Sequence, residues 1–334
     1  MVPTSPTHDL PLLNTWQRGF PLRPAPFDVL GQALGRPAGD VIAACQRLQA
    51  AGMLGRIGGV FAPGAGGAGL LAAMAVPRER LETVAAAVSR HPGVSHNYER
   101  ENALNLWFVA NAATPAALEA LLAQIEQDTG LTVLRLPMLQ PYRIDLSFDL
   151  AQPGAAAGGI TRSATRPVAP RETGLAALAE QGLPLVPRPF DTWADALGWT
   201  TGDVLDTLSR WLAQGTLSRF GMVVRHHEVG YTANAMTVFD VPDDEVDACG
   251  ARLACQPGVT LAYRRARAAQ WGYNLYCMVH GRERGEVLAL VQQAAQHAGM
   301  AHHRREVLFS LRRFTQRGPR RFAAAPAAQE ATHA

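Results

Sequence analysis

The chain has 334 residues and is weakly basic, with 31 Lys and Arg residues against 28 Asp and Glu residues and a net charge of +3. That charge excludes a strongly basic nucleic-acid-binding protein, and the absence of any apolar run near roughly 20 residues excludes a membrane span and a membrane partner. The length predicts two or three domains, and residues 1–10 lack a signal-peptide pattern, so we expect a cytoplasmic protein.

Residues 1–62 are predicted to form a winged helix-turn-helix domain. A helix is expected from Pro26 to Leu34, with Gly35 as its C-cap. A second helix is expected from Gly39 to Ala51, because its apolar residues recur at helical spacing. The strand-like segment from Leu54 to Phe61 follows as the wing.

Residues 63–150 are predicted to form a ferredoxin-like domain. Apolar periodicity alternates there between strand and helix in the order β-α-β-β-α-β, which is typical of that fold. The predicted elements are Leu70 to Val76, Arg78 to Arg90, Val94 to Tyr98, Leu104 to Val109, Pro115 to Thr129 and Leu131 to Asp145.

The second half of the chain repeats the first. GFPLRPAPFD at 19–28 matches GLPLVPRPFD at 182–191, and HPGVSHNYER at 91–100 matches QPGVTLAYRR at 256–265. The repeat predicts an α+β protein built as a tandem repeat of winged helix-turn-helix plus ferredoxin-like βαββαβ halves. The remaining boundaries are a linker at 151–172, a winged helix-turn-helix domain at 173–226, a ferredoxin-like domain at 227–322 and a disordered tail at 323–334.

The second helix of each helix-turn-helix is not basic. GDVIAACQRLQAAG carries one Arg and one Asp, and GDVLDTLSRWLAQG carries one Arg and two Asp. Acidic residues facing phosphate repel it, so we do not expect DNA binding. A role in packing or in homo-oligomer formation is favoured instead.

The four cysteines predict no metal site. They form no CxxC pair, so we expect neither zinc nor an iron–sulfur cluster. We interpret them as buried free thiols, namely Cys45, Cys249, Cys255 and Cys277.

The densest polar cluster lies in half two, at Arg225, His226 and His227. Adjacent cations and imidazoles beside a sheet are costly unless an anion binds there. If the segment is extended, Arg225 and His227 point to one face and His226 to the other. The alternative interpretation is a solvated polar loop between two strands.

A second cluster lies in half one, at His96, Tyr98 and Arg100. At the position of His96 the other half has Leu261, and half one has no counterpart of the cluster at 225–227. Each copy has therefore lost one polar set, which favours a single composite site shared by the halves. The alternative for His96 is a histidine in a loop without a role in binding.

Further polar residues follow in half two. Arginine suits bidentate carboxylate binding, and the two tryptophans Trp107 and Trp271 lie near the matched strands. Together these residues suit a large, flat, polycarboxylate ligand, whereas His280 is interpreted as structural. The further candidate binding residues are Tyr231, Asn234, Arg264 and Arg265.

Four strings carry a family resemblance. A winged helix followed by βαββαβ is similar to the Lrp/AsnC family. The strings FGMVVRHHEVGYTANAM (220–236), PGVSHNYER (92–100), PGVTLAYRR (257–265) and WGYNLYCMVHG (271–281) resemble the siroheme decarboxylases, an Lrp-like enzyme group. Two such halves in one chain resemble the fused D–L type of heme d1 biosynthesis.

The resemblance implies a carboxy-lyase. Siroheme would lose two acetate carboxylates as CO2, giving 12,18-didecarboxysiroheme, with no cofactor beyond the iron tetrapyrrole of the substrate itself. By resemblance His96 and His226 would deliver the protons. Arg225, Arg264 and Arg265 would hold carboxylates, and His227 is a further substrate-binding candidate. Axial ligation of the iron by one of the two histidines is an open alternative.

Two other functions compete with the enzyme. One is an Lrp/AsnC-type ligand-sensing transcription regulator, which the acidic second helices disfavour. The other is a heme-binding carrier without turnover, which the sequence does not separate from the enzyme.

Overall fold

The computed structural model describes residues 9–144 and 165–322, except the side chain of His226. Half one contains α1 (Leu10–Thr15), α2 (Pro26–Leu34), α3 (Ala38–Ala50), β1 (Leu54–Phe61), β2 (Ala68–Met74), α4 (Leu81–Arg90), β3 (Val94–Arg100), β4 (Leu106–Ala112), α5 (Pro115–Thr129), β5 (Leu134–Leu136) and β6 (Met138–Ile144). Half two contains α6 (Thr173–Gln181), α7 (Pro189–Leu197), α8 (Thr201–Ala213), β7 (Leu217–Val224), β8 (Ala233–Phe239), α9 (Val246–Ala254), β9 (Val259–Arg265), β10 (Leu275–Gly281), α10 (Arg284–His297) and β11 (Arg305–Gln316). The predicted tandem α+β architecture is confirmed.

Local sequence signals fix the helix ends. Gly35 and Gly198 take left-handed φ values of 62° and 66° and end α2 and α7, as C-cap glycines do. Helix α8 begins with a capping box, in which the Thr200 hydroxyl accepts from the Asp203 N–H at 3.1 Å and the Asp203 carboxylate accepts from the Thr200 N–H at 3.0 Å.

The two winged helix-turn-helix modules form one body. Their wings β1 and β7 pair antiparallel, with Gly58 opposite Gly221. A side chain at Gly221 would overlap the carbonyl oxygens of Trp16 and Gln17, which explains the glycine. The helices of both modules share a single core around the pair β1–β7.

The two ferredoxin-like halves form a common nine-stranded sheet. Its order is β5-β2-β4-β3 from half one, then β11-β8-β10-β9 from half two, then β6 of half one at the edge. Helices α4 and α5 pack on one part of the sheet and α9 and α10 on the other, each pair over its own core. A third core, which includes Trp107, Tyr276 and Leu308, lies between the two parts of the sheet.

The last strand of each half crosses into the other half. Strand β11 pairs with β8 through residues 305–309 and then with β3 of half one. In half one the same path is divided between two strands. Strand β5 pairs with β2 of its own half, and β6, which begins two residues after β5 ends, pairs with β9 of half two. Buried arginines link the halves near these crossings, because Arg100 donates to the Leu308 carbonyl of β11 at 2.9 Å and Arg265 to the Leu136 carbonyl of β5 at 2.6 Å.

Several expectations need correction. The segment after Arg225 is not extended but forms a 3-10 turn, His226–Val229. Cys255 is exposed, although the other three cysteines are buried free thiols. Residues 165–172, placed in the linker, include a 3-10 helix with Glu172 buried, whereas 151–164 and the tail at 323–334 lie outside the described residues. The domain boundaries stay predictions.

Helices α1 and α6, which precede the helix-turn-helix of each half, were not predicted. In the part of the chain that the structure describes, no helix is both long and apolar enough to cross a membrane.

Candidate functional site

Four polar side chains lie side by side on four neighbouring strands, and we call them the polar row. Arg100 of β3 pairs with Ser310 of β11, and Asn234 of β8 pairs with His280 of β10. Ser310 comes directly after the last residue of β11 that pairs with β8, which places it beside Asn234. Opposite residues of an antiparallel ladder share a face, so the row extends over three strand spacings, about 14 Å.

The middle of the polar row has unused hydrogen-bonding capacity. The Asn234 Oδ1 and Ser310 Oγ atoms are buried and have no hydrogen-bond partner among the described residues. Buried polar atoms without a partner are costly, so this position suits a bound polar group. Burial also lowers the pKa of Arg100 to about 10.

His280 is held in one tautomer. Its Nδ1 lies 3.1 Å from the Thr260 hydroxyl, and that hydroxyl donates to the Met278 carbonyl at 3.2 Å. Because the hydroxyl donates its only proton to that carbonyl, it must accept the hydrogen bond that joins it to Nδ1. Nδ1 therefore carries the proton of the imidazole. Burial, followed by the charge of Arg100, lowers the pKa of His280 to about 4. The ring is therefore neutral at pH 7.

His96 is held in a similar way in half one. It lies on the same strand as Arg100, four residues earlier, and its ring stacks near Tyr98 with centroids 6.3 Å apart. The His96 Nδ1 lies 3.0 Å from the hydroxyl of Ser95, which is the counterpart of Thr260 in the repeat. Burial and then Arg56 lower the pKa of His96 to about 4.

Guanidinium groups surround Tyr98. The Arg100 guanidinium lies 5.6 Å from the centre of the Tyr98 ring, and Arg313 is the cross-strand neighbour of Tyr98. Burial raises the pKa of Tyr98, and the charges of Arg100, Arg313 and Arg225 oppose the rise. Arg313 already forms an ion pair. Within residues 9–144 and 165–322, none of the ion pairs includes Arg56, Arg100 or Arg225. Glu180 and Glu228 act on Arg56 and Arg225 only from beyond ion-pair distance, so these guanidinium groups are available to bind a polycarboxylate.

Two predicted arginines lie apart from this cluster. Arg264 contacts Asp243 at 3.3 Å and Asp247 at 3.6 Å, so its charge is already balanced. Arg264 lies on the opposite face of β9 from Tyr263, and Tyr263 belongs to the core between the two parts of the sheet. Arg265 stacks over Tyr263 at 4.5 Å and donates to the Leu136 carbonyl of β5.

The segment around the 3-10 turn leads towards the polar row. The backbone of His226 begins the turn, and its side chain is not among the described atoms. The His227 side chain is 60% exposed and lies 3.8 Å from the carboxylate of Glu228. Tyr231 is buried in the core of the winged modules. The structure thus brings together His96, Tyr98, Arg100, Arg225 and Asn234.

A separate cavity of about 420 Å³ lies at the other end of β8. Its polar groups bind one another, because Tyr273 and Asn102 both donate to Glu306, at 2.6 and 2.7 Å. Burial and Glu306 raise the pKa of Tyr273 to about 12. This self-paired lining makes it a weaker candidate than the polar row.

The sequence interpretation missed His280 and Ser310. One signal was available in the repeat, since His280 stands where half one has Asn111, and Asn234 where half one has Gly69. Polar residues that replace a glycine in one copy indicate a specialised position. Ser310 carries no such signal, because its place depends on the crossing of β11.

Two family models match both halves of the chain. The AsnC-like ligand binding domain matches residues 65–143 and 228–315. The siroheme decarboxylase NirDL-like HTH domain matches residues 9–54 and 175–217. These ranges correspond to the ferredoxin-like parts and the helix-turn-helix parts of the fold.

Curated relatives cover nearly the whole chain. It is 40% identical to the siroheme decarboxylase NirDL subunit of Paracoccus denitrificans, over 93% of this chain and 96% of the relative. It is 32% identical to the siroheme decarboxylase of Hydrogenobacter thermophilus, over 91% of each. Over 42% of its length it is 48% identical to 93% of the siroheme decarboxylase NirD subunit of Stutzerimonas stutzeri.

Solved structures agree with the sequence relatives. The crystal structure of the siroheme decarboxylase NirDL is 27% identical, with a TM-score of 0.66 and coverage of 95% of this chain and 94% of that one. A structure of NirDL in complex with an iron-uroporphyrin III analogue matches with a TM-score of 0.65, at 27% identity and coverage of 96% and 95%. From the NirDL-like helix-turn-helix domains, the AsnC-like domains and the relatives that match along its whole length, this chain belongs to the fused siroheme decarboxylase family.

Proposed function

We propose that this protein is a carboxy-lyase that converts siroheme to 12,18-didecarboxysiroheme. The observation that carries the proposal is the 40% identity to a siroheme decarboxylase over 93% of the chain. Arg100 and Arg225, which have no ion-pair partner among the described residues, support it, because siroheme carries several carboxylates. An enzyme of this class must hold those carboxylates while two of them leave.

The chemistry needs little beyond the substrate and a few side chains. Each ring-attached CH2–COO⁻ group loses CO2, and the electron pair of the broken C–C bond passes to the ring-attached carbon. The conjugated macrocycle delocalises that charge, and one proton then gives the methyl group. We propose no cofactor beyond the iron tetrapyrrole of the substrate itself.

His96 and His226 are our proposed proton donors, one for each acetate. The pKa of about 4 at His96 means a neutral imidazole before the ligand binds. Nearby carboxylates of a bound substrate raise the pKa of an imidazole, so substrate binding itself would charge the ring for proton transfer. His226 begins a turn directly after Arg225, which lies near Tyr98.

The binding roles follow the positions of the arginines. Arg100 lies over the Tyr98 ring, the charge of Arg225 acts on the same phenol, and Asn234 lies beyond Ser310 in the polar row, so these are the strongest candidates for substrate contacts. Arg265, Tyr231, His227 and Arg264 stay weaker proposals. We propose no DNA partner, and a homo-oligomer, where it forms, would use helical surfaces.

Anaerobic incubation of the purified protein with siroheme tests the reaction. We expect the mass of the tetrapyrrole to fall by two CO2, one after the other, whereas the metal-containing substrate without protein stays unchanged. A bound-heme spectrum with no change in mass would identify a carrier and contradict the enzyme.

Two histidine variants test the division of roles. Because loss of a general acid costs roughly 10²–10⁴-fold, His96→Ala and His226→Ala should each accumulate a mono-decarboxylated product. His297→Ala, an exposed histidine late in α10, is the matched control and should give the full product. Two decarboxylations at the normal rate in both variants would exclude the assignment.

A further inference from the structure

Three potential metal ligands meet on the outer side of the half-two sheet. Glu245 precedes α9, Cys249 lies in its first turns, and His303 lies in the loop before β11. One ligand atom from each lies within 4.8 Å of the others. The His303 Nε2 and Glu245 Oε2 atoms are 3.7 Å apart. The ligands of tetrahedral zinc are separated by roughly 3.3–3.8 Å, given bond lengths of about 2.0–2.3 Å.

His303 supplies independent evidence for a ligand. Its side chain is only 8% exposed, and its Nε2 atom has no hydrogen-bond partner among the described residues. A buried polar atom in that state is destabilising unless something binds it. The atom that lacks a partner is the same one that lies 3.7 Å from Glu245 Oε2.

The repeat shows that the fold itself does not need these side chains. At the positions of Glu245 and Cys249, half one has Arg80 and Val84, and Val84 packs in an apolar core. The loop that carries His303 is also longer. It runs nine positions from Gly299 to Leu308, against six from Gly130 to Leu136 in half one.

We propose that Glu245, Cys249 and His303 bind a divalent transition metal of the zinc type, with a fourth position left for water. A nitrogen, a thiolate sulfur and a carboxylate oxygen are ligands that zinc and cobalt(II) accept. On binding, the thiol proton of Cys249 passes to solvent and the sulfur bonds to the metal. Arg252 donates to the Cys249 Sγ at 3.2 Å and would remain as the outer partner of the thiolate.

Cobalt(II) titration of the metal-free full chain tests the site. We expect a thiolate-to-cobalt absorption band in the near ultraviolet that saturates at one metal per chain and disappears when zinc is added. Cys249→Val removes the sulfur but keeps the apolar packing that half one achieves with Val84, and it should abolish the band. His303→Ala should weaken binding by more than the roughly 10–100-fold that an outer partner contributes.

Neighbouring residues of the same type serve as controls. Cys255→Ser alters an exposed thiol and His302→Ala an exposed imidazole, and both variants should bind cobalt as the unaltered chain does. The proposal fails if the unaltered chain shows no thiolate band, or if the band persists in Cys249→Val. If circular dichroism shows that Cys249→Val is unfolded, Glu245→Gln and His303→Ala decide the outcome, and unchanged cobalt affinity in both contradicts the site.

Discussion

His96 and His280 are two imidazoles held by hydroxyls at equivalent positions of the repeat. Ser95 holds one and Thr260 the other, at 3.0 and 3.1 Å. Both rings are neutral at pH 7 because burial lowers each pKa from 6.5 to about 4. The hydroxyl that holds the ring stands at the same position in both halves, although the two histidines stand at different positions of the repeat. The two halves therefore share an interaction that an alignment of the histidines does not reveal.

The neutral histidines should make the fold sensitive to acid. Between pH 6.5 and pH 4 the unfolded chain takes up protons that the folded chain does not, so the free energy of unfolding falls as the pH falls through that range. At pH 5 each ring accounts for up to about 2 kcal/mol, reduced by screening because both rings are partly exposed. Urea unfolding at pH 7.5 and pH 5 measures the effect.

His280→Asn is the informative variant, because half one carries Asn111 at that position. We expect it to lose less stability than the unaltered chain between pH 7.5 and pH 5. His297→Asn, at an exposed position, should keep the full loss. Equal losses in all three proteins would contradict a neutral, buried His280.

At the scale of elements, apolar periodicity was sufficient to predict most of the bounds of the helices and strands. The strand Leu54–Phe61 and the helix Pro115–Thr129 have the predicted limits. Periodicity indicates which face of an element is buried, but not which strand lies beside it. The interruption at Pro137, the pairing of β6 with β9 and the position of Ser310 in the polar row could therefore not be predicted from the sequence.

A glycine in α9 allows β6 to dock on half two. A Cβ atom at Gly250 would overlap the ring of Tyr142 on β6, and the hydroxyl of that ring donates to Asp247. Gly250→Ala should therefore displace the ring and cost about 1–3 kcal/mol of unfolding free energy. Chemical unfolding is the measurement.

Gly285→Ala is the matched control in α10. A Cβ atom there meets nothing within 4 Å, so the variant should be neutral or gain about 0.4–1 kcal/mol. If Gly250→Ala is as stable as Gly285→Ala, the packing of Tyr142 does not limit the docking of β6.

At the scale of the whole molecule, the halves are joined by strand pairs and not only by the chain. Three antiparallel ladders cross between them, β1 with β7, β3 with β11 and β6 with β9. Relatives such as the NirD and NirL subunits of Stutzerimonas stutzeri each match less than half of this chain. We therefore expect the two halves to stay associated without a covalent link between them.

Cleavage between the halves tests this view. A protease site placed within residues 151–164 should yield two fragments that elute together in size-exclusion chromatography and keep a single unfolding transition. Cleavage should lower stability at low protein concentration, because association of the halves becomes bimolecular. Separation of the fragments under native conditions would show that the ladders do not suffice.

The crossing of the last strands also bears on aggregation. An open sheet exposes edge strands whose free N–H and C=O groups recruit strands from other molecules. Here β3 and β9, which would be the edges of their own four-stranded sheets, are each covered by the last strand of the other half. A half produced alone would leave that edge bare, so we expect an isolated half to be poorly soluble and to be rescued when its counterpart is synthesised beside it.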